Sequence, residues 1–201
     1  MNDLPDFLLE PLVRAALAED LAPWGDATTR AVIPAGTRGT VEMRARSAGR
    51  VSGMQVAALA FRLMDAGLRV ETVLPDGATC GARDALMRVS GDMAAILSAE
   101  RVALNFAGRM AGIATLTAAF VAEAGVAKVG GAQTRITCTR KTSPGLRLVE
   151  KAAVRHGGGS NHRYGLGDAI LIKDNHIAAA GGIAADRKST RLNSSHLGIS
   201  R

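Results

Sequence analysis

The spacing of apolar residues changes several times along the 201-residue chain, and each change marks a predicted element. Phe7, Leu8, Leu12, Ala15, Ala16 and Leu17 recur at helical spacing and predict an amphipathic helix over 6–21, punctuated by Pro11. Gly25 and Asp26 mark a turn, with a strand start at Thr28–Thr29. From Gly39 the period drops to two. Val41, Met43 and Ala45 alternate with Glu42, Arg44 and Arg46, the signature of a half-buried strand. A helix over 53–65 follows, with Val56, Leu59, Ala60 and Leu63 on one side. Strands over 68–74 and 85–89 are closed by the turns Pro75–Asp76–Gly77 and Gly91–Asp92. Strands grouped around one helix predict a small α+β domain.

The clearest helical pattern runs over 93–109, where Arg101, Asn105 and Arg109 recur every four residues and share a face. Gly112 and the small residues after it loosen the pattern and predict a domain junction, with a separate helix over 113–124. Residues 128–133 read as a glycine-containing connection into a strand at 136–138. Ser143 as cap and Pro144 at the first helical position predict a helix start. Its buried stripe is Leu146, Val149, Ala152 and Ala153, and Gly157 ends it. A second apolar run, Ala169–Ile172, ends in Lys173. The resulting strand–helix–loop–strand order over 136–176 puts Arg140, Lys141, His162, Arg163 and Lys173 at strand ends or in a loop. Parallel α/β folds bind ligands there, so the layout predicts a site for a multiply charged anion.

Composition alters this picture little. Hydrophobic residues make up 47% and charged residues 21%, which is ordinary globular usage; aromatics are only 3%, so the core is built from Ala, Val, Leu, Ile and Met. The net charge is +7, of which +3 sits in residues 186–201. The remaining excess is mild and favours a local anion pocket over a broad basic face. Few aromatics and no recognised binding motif count against a nucleic-acid-binding module, the alternative that net charge raises. Cys80 and Cys138 form no CxxC pair, which excludes a zinc-finger site and a disulfide framework. The N-terminus is acidic where a secretion signal is basic, and no charge-free run reaches membrane-spanning length, so a soluble cytoplasmic protein is expected. Residues 186–201, with four serines and no sustained period, read as a non-native or disordered tail after a truncated reading frame.

Arg140, Lys141, His162, Arg163 and Lys173 are the candidates for one pocket, with Arg101 as an addition. Arginine offers a planar fork matching carboxylate or phosphate, and lysine a compact point charge. Taken singly, each is an ordinary surface cation; the case lies in their joint placement. Cations clustered without carboxylates repel one another unless a polyanion fills the site. Gly157–Gly159 serves equally as a phosphate-cradling loop or as a helix stop followed by a flexible loop. Neither a P-loop nor a dinucleotide-binding glycine motif is present. His162, beside an arginine, reads as a hydrogen-bond donor to an anion, His176 as a residue orienting its loop, and Cys138 as core.

At these residues the chain resembles a known family. The run CTRKTSPGLRLVEKAAVRHGGGSNHRYGLGDAILIKDNHI resembles the central segment of the quinolinate phosphoribosyltransferases. ILSAERVALNFAGRMAGIATLT is similar to that family's helix at the domain junction, and ALAEDLAPWGDATT to its N-terminal motif. The resemblance implies an α/β fold: an N-terminal α/β sandwich domain over 1–112, then the first part of an open α/β barrel over 113–185, incomplete here, and the tail over 186–201. It implies phosphoribosyl transfer from phosphoribosyl pyrophosphate to quinolinate with decarboxylation, in NAD biosynthesis, by a homodimer that uses Mg²⁺. Thr139, Arg140 and Lys141 match the family's TRK segment, His162 and Arg163 its NHR segment, and Lys173 its LIKDNH segment, all as substrate-binding residues. Lys141 and Lys173 are implied to be catalytic, and Arg101 to reach the neighbouring subunit's site.

The family often carries Asp where this chain has Cys138. The match ends near Ile183, whereas such a barrel alone takes about 200–250 residues. No metal ligand is assignable, because the family's acidic residues lie on later strands. The chain as written is therefore expected to be inactive, with unpaired strand edges. The related alternatives are a molybdenum-transport-associated relative and a nicotinate phosphoribosyltransferase; the arginine-rich site favours a dicarboxylate.

Overall fold

The computed structural model describes residues 4–126, 128–129 and 132–182, so the tail expected from Asp186 lies outside the described residues. The chain divides into two compact units, Met1–His162 and Arg163–Arg201. In the first, the order is α1 (Asp6–Leu21), α2 (Ala27–Val32), β1 (Arg38–Arg44), β2 (Gly49–Arg50), α3 (Met54–Met64), β3 (Arg69–Thr72), β4 (Thr79–Cys80), β5 (Ala85–Asp92), α4 (Met93–Val126), β6 (Lys128–Val129), β7 (Ala132–Gln133) and α5 (Arg147–His156). The second unit contains α6 (Asp174–Ala179).

The period-two segment forms an antiparallel sheet in the order β1-β5-β3. Its register aligns Val41, Val89 and Val70 in one row on the core side, while the next row outward aligns Glu42, Arg88 and Glu71. Arg88 donates to Glu42 at 2.9 Å and to Glu71 at 3.2 Å. These exposed pairs contribute little to stability. They do oppose a one-residue slip, which would put the valines in water and the charges in the core. β2 and β4 pair as a separate two-stranded ribbon, too short for any periodicity to announce.

α3 is buried almost all round, from Val56 to Phe61, because α1 and α4 both pack against it. α1 buries Leu9, Val13 and Leu17, a single i, i+4, i+8 stripe. The stripe expected from Phe7 and Leu8 is corrected, since these are 70% and 45% exposed. Thr28–Thr29 is helical rather than a strand start. The Asp26 carboxylate accepts the Thr29 N–H at 2.8 Å and the Ser98 hydroxyl at 3.1 Å, and this N-cap decides the local conformation.

α4 runs unbroken through Gly112, so the expected break into two helices does not occur, and the boundary placed there falls inside a helix. Ile96, Ala99, Ala103, Phe106, Ala107, Met110 and Ala114 form one buried stripe along it, while Gly108 and Gly112 lie on the exposed side. A glycine costs a helix about 1 kcal/mol, less than the continuous stripe returns. By length and composition Met93–Gly125 would also suffice to cross a membrane. Here its stripe packs against α3, α5 and the sheet.

Two further expectations change. The helix after Pro144 starts at Arg147, not beside Ser143, because Gly145 takes a positive φ of +78° and the chain turns once more. Among the described residues 136–138 make a single parallel bridge, Thr137 to Ser160, flanked by Cys138 N–H to Ser160 O (3.0 Å) and Ser160 N–H to Ile136 O (2.8 Å). Among the described residues 169–172 forms no ladder. An apolar run becomes a strand only when neighbours accept its backbone bonds.

Met87 lies on the central strand with no exposed surface. Met87→Ala is expected to lower the unfolding free energy by roughly 2–5 kcal/mol in urea denaturation, with the folded-state circular dichroism unchanged.

Candidate active site

α4 and α5 pack side by side, and the loop after Cys138 closes over them. Between them lies a cavity of about 340 Å³, lined by Arg109 and Ile113 from α4, Glu150, Lys151 and Val154 from α5, and Cys138, Thr139, Lys141, Thr142 and Ser143 from the loop. That volume suits a small organic ligand.

One ion pair holds the loop to the helices. The Arg109 Nε donates to Glu150 Oε1 at 3.0 Å, and its Nη2 donates to Glu150 and to the Ser143 hydroxyl. The Ser143 N–H donates to the other Glu150 oxygen at 3.1 Å. Burial pushes the Glu150 carboxyl up, but the Arg109 guanidinium and the Ser143 N–H and hydroxyl pull harder, leaving its pKa below the ordinary glutamate value. Ser143, expected to cap α5, serves instead as the loop's attachment to it.

Lys151 is the second anchor. Only 3% exposed, its Nζ donates to Cys138 Sγ at 3.0 Å and to the His162 carbonyl at 3.0 Å. It thereby links the segment entering the loop to the residues before Arg163. The Cys138 thiol donates in turn to Asn161 Oδ1 at 3.3 Å. Cys138 thus lines the cavity and is half-buried, rather than being core.

Of the residues expected to form the pocket, Thr139 and Lys141 line it. The Thr139 hydroxyl accepts the Lys141 N–H at 3.1 Å, a turn that sets the loop's course. Arg140 is not among the lining residues; its Nε is buried without a hydrogen-bond partner among the described residues. His162 reaches the site through its carbonyl, and its side chain is exposed. Arg101 is exposed on α4, two turns before Arg109. Arg163 and Lys173 belong to the second unit. There Arg163 Nη1 donates to Ala169 O at 2.9 Å and its Nε is buried without a partner among the described residues. The Lys173 N–H donates to His176 Nδ1 at 3.1 Å, so His176 does orient that loop. In the same unit the Asp168 carboxylate accepts the Tyr164 and Gly165 N–H groups, and these bonds hold its pKa below the ordinary aspartate value.

The triple glycine is a packing device. A Cβ on Gly157 would lie 2.4 Å from Ala114 O and one on Gly159 2.8 Å from Thr117 Cγ2, while Gly158 takes a φ of +85°. α5 can approach α4 this closely only because its end carries no side chains there. Of the two roles open to this loop, the helix stop is the one its contacts display.

The expectation of a pocket free of carboxylates is corrected: Glu150 lines it. Arg109 and Glu150 neutralise each other, leaving Lys141 and Lys151 as the cavity's net charge. Mg²⁺ requires several oxygen ligands in near-octahedral array. Among the described residues no three His, Cys, Asp or Glu side chains converge, and Glu150 is committed to Arg109 and Ser143. The described residues do not fit the metal.

The profile described as quinolinate phosphoribosyl transferase, N-terminal domain, matches residues 26–111, and that for the C-terminal domain matches 113–198. The chain belongs to the quinolinate phosphoribosyltransferase family. The two matched domains meet inside α4. Among relatives, quinolinate phosphoribosyltransferase [decarboxylating] 1 of Nicotiana glauca is 43% identical over 180 residues, 90% of this chain and 49% of that protein. The nicotinate-nucleotide pyrophosphorylase [carboxylating] of Mycobacterium leprae is 44% identical, over 89% of this chain and 62% of its own length. The chain therefore spans about half the length of the plant relatives it matches. The solved structure of NadC from Streptococcus pyogenes superposes with a TM-score of 0.87 at 37% identity, covering 96% of this chain and 67% of that one. The nicotinate-nucleotide pyrophosphorylase from Francisella tularensis gives 0.86 at 38%, covering 96% and 66%. The fold expected from the resemblance, the family's N-terminal domain followed by part of its C-terminal domain, is the fold observed.

Glu150 and Lys151 were not legible in the sequence as site residues, and Arg109 was legible only as one of three residues sharing a helix face. The one available signal was that Arg109 falls on the helix most similar to the family's junction helix.

Because the folded Glu150 pKa is depressed, this carboxylate stabilises the fold fully above its unfolded pKa and stops doing so as pH falls through its folded value. Glu150→Gln is therefore expected to lower the thermal midpoint at pH 7 and to reduce the further loss of stability below about pH 5. Melting curves of both proteins over that range measure it.

Proposed function

We propose that the chain carries the quinolinate-facing part of a phosphoribosyltransferase site. The reaction would join quinolinate to phosphoribosyl pyrophosphate and yield nicotinate mononucleotide, pyrophosphate and carbon dioxide. The observation that carries the reading is the cavity itself. Thr139 and Lys141 of the family's TRK segment line it, beside a buried lysine, in a chain whose relatives are named for this chemistry.

Chemically, the substrates bring two carboxylates, a phosphate and a pyrophosphate, and the site's cations are their complement. Arg140 and Arg163 each bury an Nε with no acceptor among the described residues, and a guanidinium matches a carboxylate in shape and charge. In this reading the family's TRK and NHR motifs assign Arg140, His162 and Arg163 to the quinolinate carboxylates. The TRK and LIKDNH motifs likewise assign Lys141 and Lys173 to the phosphoribosyl pyrophosphate, where lysines stabilise charge on the leaving pyrophosphate. Thr139 keeps the loop in register, and Arg101, exposed on α4, serves the site of a second copy. Glycosyl transfer passes through an oxocarbenium-like state, so the side chains' main work is alignment of the ring nitrogen with the anomeric carbon.

Titration calorimetry with quinolinate tests the assignment. Arg140→Ala is expected to weaken binding by about tenfold or more, the scale of a lost charged hydrogen bond. Unchanged affinity would remove Arg140 from the site. Pyrophosphate release from quinolinate and phosphoribosyl pyrophosphate with Mg²⁺ would test turnover directly.

A further inference from the structure

A charged group removed from water demands a counter-charge, and the protein interior supplies one at nearly every buried lysine. Lys151 departs from that rule. It is 3% exposed, yet among the described residues it forms no ion pair. Its two acceptors are a thiol sulfur and one carbonyl. An ammonium has three N–H donors, so one donor and the whole charge are left over, and Lys151 lines the cavity. The neighbouring carboxylate, Glu150, is already saturated by Arg109 and Ser143.

We propose that Lys151 is a ligand-binding residue whose counter-ion is a carboxylate of the substrate seated in this cavity. The inference rests on the function proposed above and names one more residue for it. A carboxylate fits better than a pyrophosphate for two reasons. A single ammonium beside the Glu150 carboxylate tolerates one negative charge more readily than several. The cavity also has an apolar wall, Ile113 and Val154, against which a ring can lie and for which a pyrophosphate has no use. A ligand seated there would cover Cys138, whose sulfur is 3.0 Å from the same ammonium. That thiol is a built-in reporter, since it is half-buried while Cys80 is only 7% exposed.

The test compares the unmodified chain with Lys151→Met, which keeps the volume, and Lys151→Gln, which keeps a donor for the His162 carbonyl. Calorimetry is run with quinolinate and separately with inorganic pyrophosphate, alongside the rate of Cys138 alkylation by iodoacetamide. Both variants are expected to unfold cooperatively, to bind quinolinate about tenfold or more weakly, and to bind pyrophosphate within about twofold of the unmodified chain. Quinolinate should slow Cys138 alkylation in the unmodified chain and not in the variants. Unchanged quinolinate affinity in either folded variant overturns the role of Lys151 and leaves the proposed function standing. A selective loss of pyrophosphate affinity overturns the carboxylate assignment, and so does binding without protection of Cys138. Failure of both variants to fold makes Lys151 structural and likewise overturns it. If the unmodified chain binds neither probe, the cavity's proposed function falls first and Lys151 with it.

Discussion

Close packing between α4 and α5 is the constraint from which the rest of the cavity follows. α5 can lie against Ala114 and Thr117 only because Gly157 and Gly159 present no Cβ to them. With the helices this close, Arg109 meets Glu150, and that pair draws Ser143 and its loop over the gap. The loop carries Thr139 and Lys141 to the cavity wall. Steric permission at two glycines thus leads to an ion pair, and the ion pair positions the chemistry.

The electrostatic character of the cavity is set by which charges are already spent. Arg109 is largely structural, bound to the one carboxylate that the cavity contains. Lys151 is buried without such a partner and Lys141 is exposed at the rim. A site arranged this way holds one cation in a poorly solvated environment, where its attraction for an anion is stronger than in water. The N-terminal sheet contributes no side chain to this cavity. Its part is to give α4 a firm base through Met87, Val89 and the half-buried Val41 and Val70.

Much of the N-terminal half was readable from spacing alone. Val41, Met43 and Ala45 lie on the buried side as their alternation requires, and α3 occupies the predicted span. Errors arose where local pattern was outvoted. Thr28 and Thr29 look like strand residues until Asp26 caps a helix over them. Gly112 looks like a break until a stripe of contacts on the other side of α4 carries the helix past it. The runs 136–138 and 169–172 have strand-like composition, yet strand identity lies in partners that periodicity cannot register.

By itself, then, the sequence determined the sheet's faces, the existence of the main helices, and the family, through long motifs that hold residue order over some forty positions. Charge burial was beyond it. On α5, Val149, Ala152 and Ala153 define one buried stripe, and helical geometry points Lys151 away from it, where a solvent-facing lysine is expected. Lys151 is buried because Cys138 and His162, 13 and 11 residues distant in sequence, close over that opposite face. Helical periodicity records which side of a helix meets the core. Whether the other side meets water or a second segment is decided only when the chain has folded back on itself.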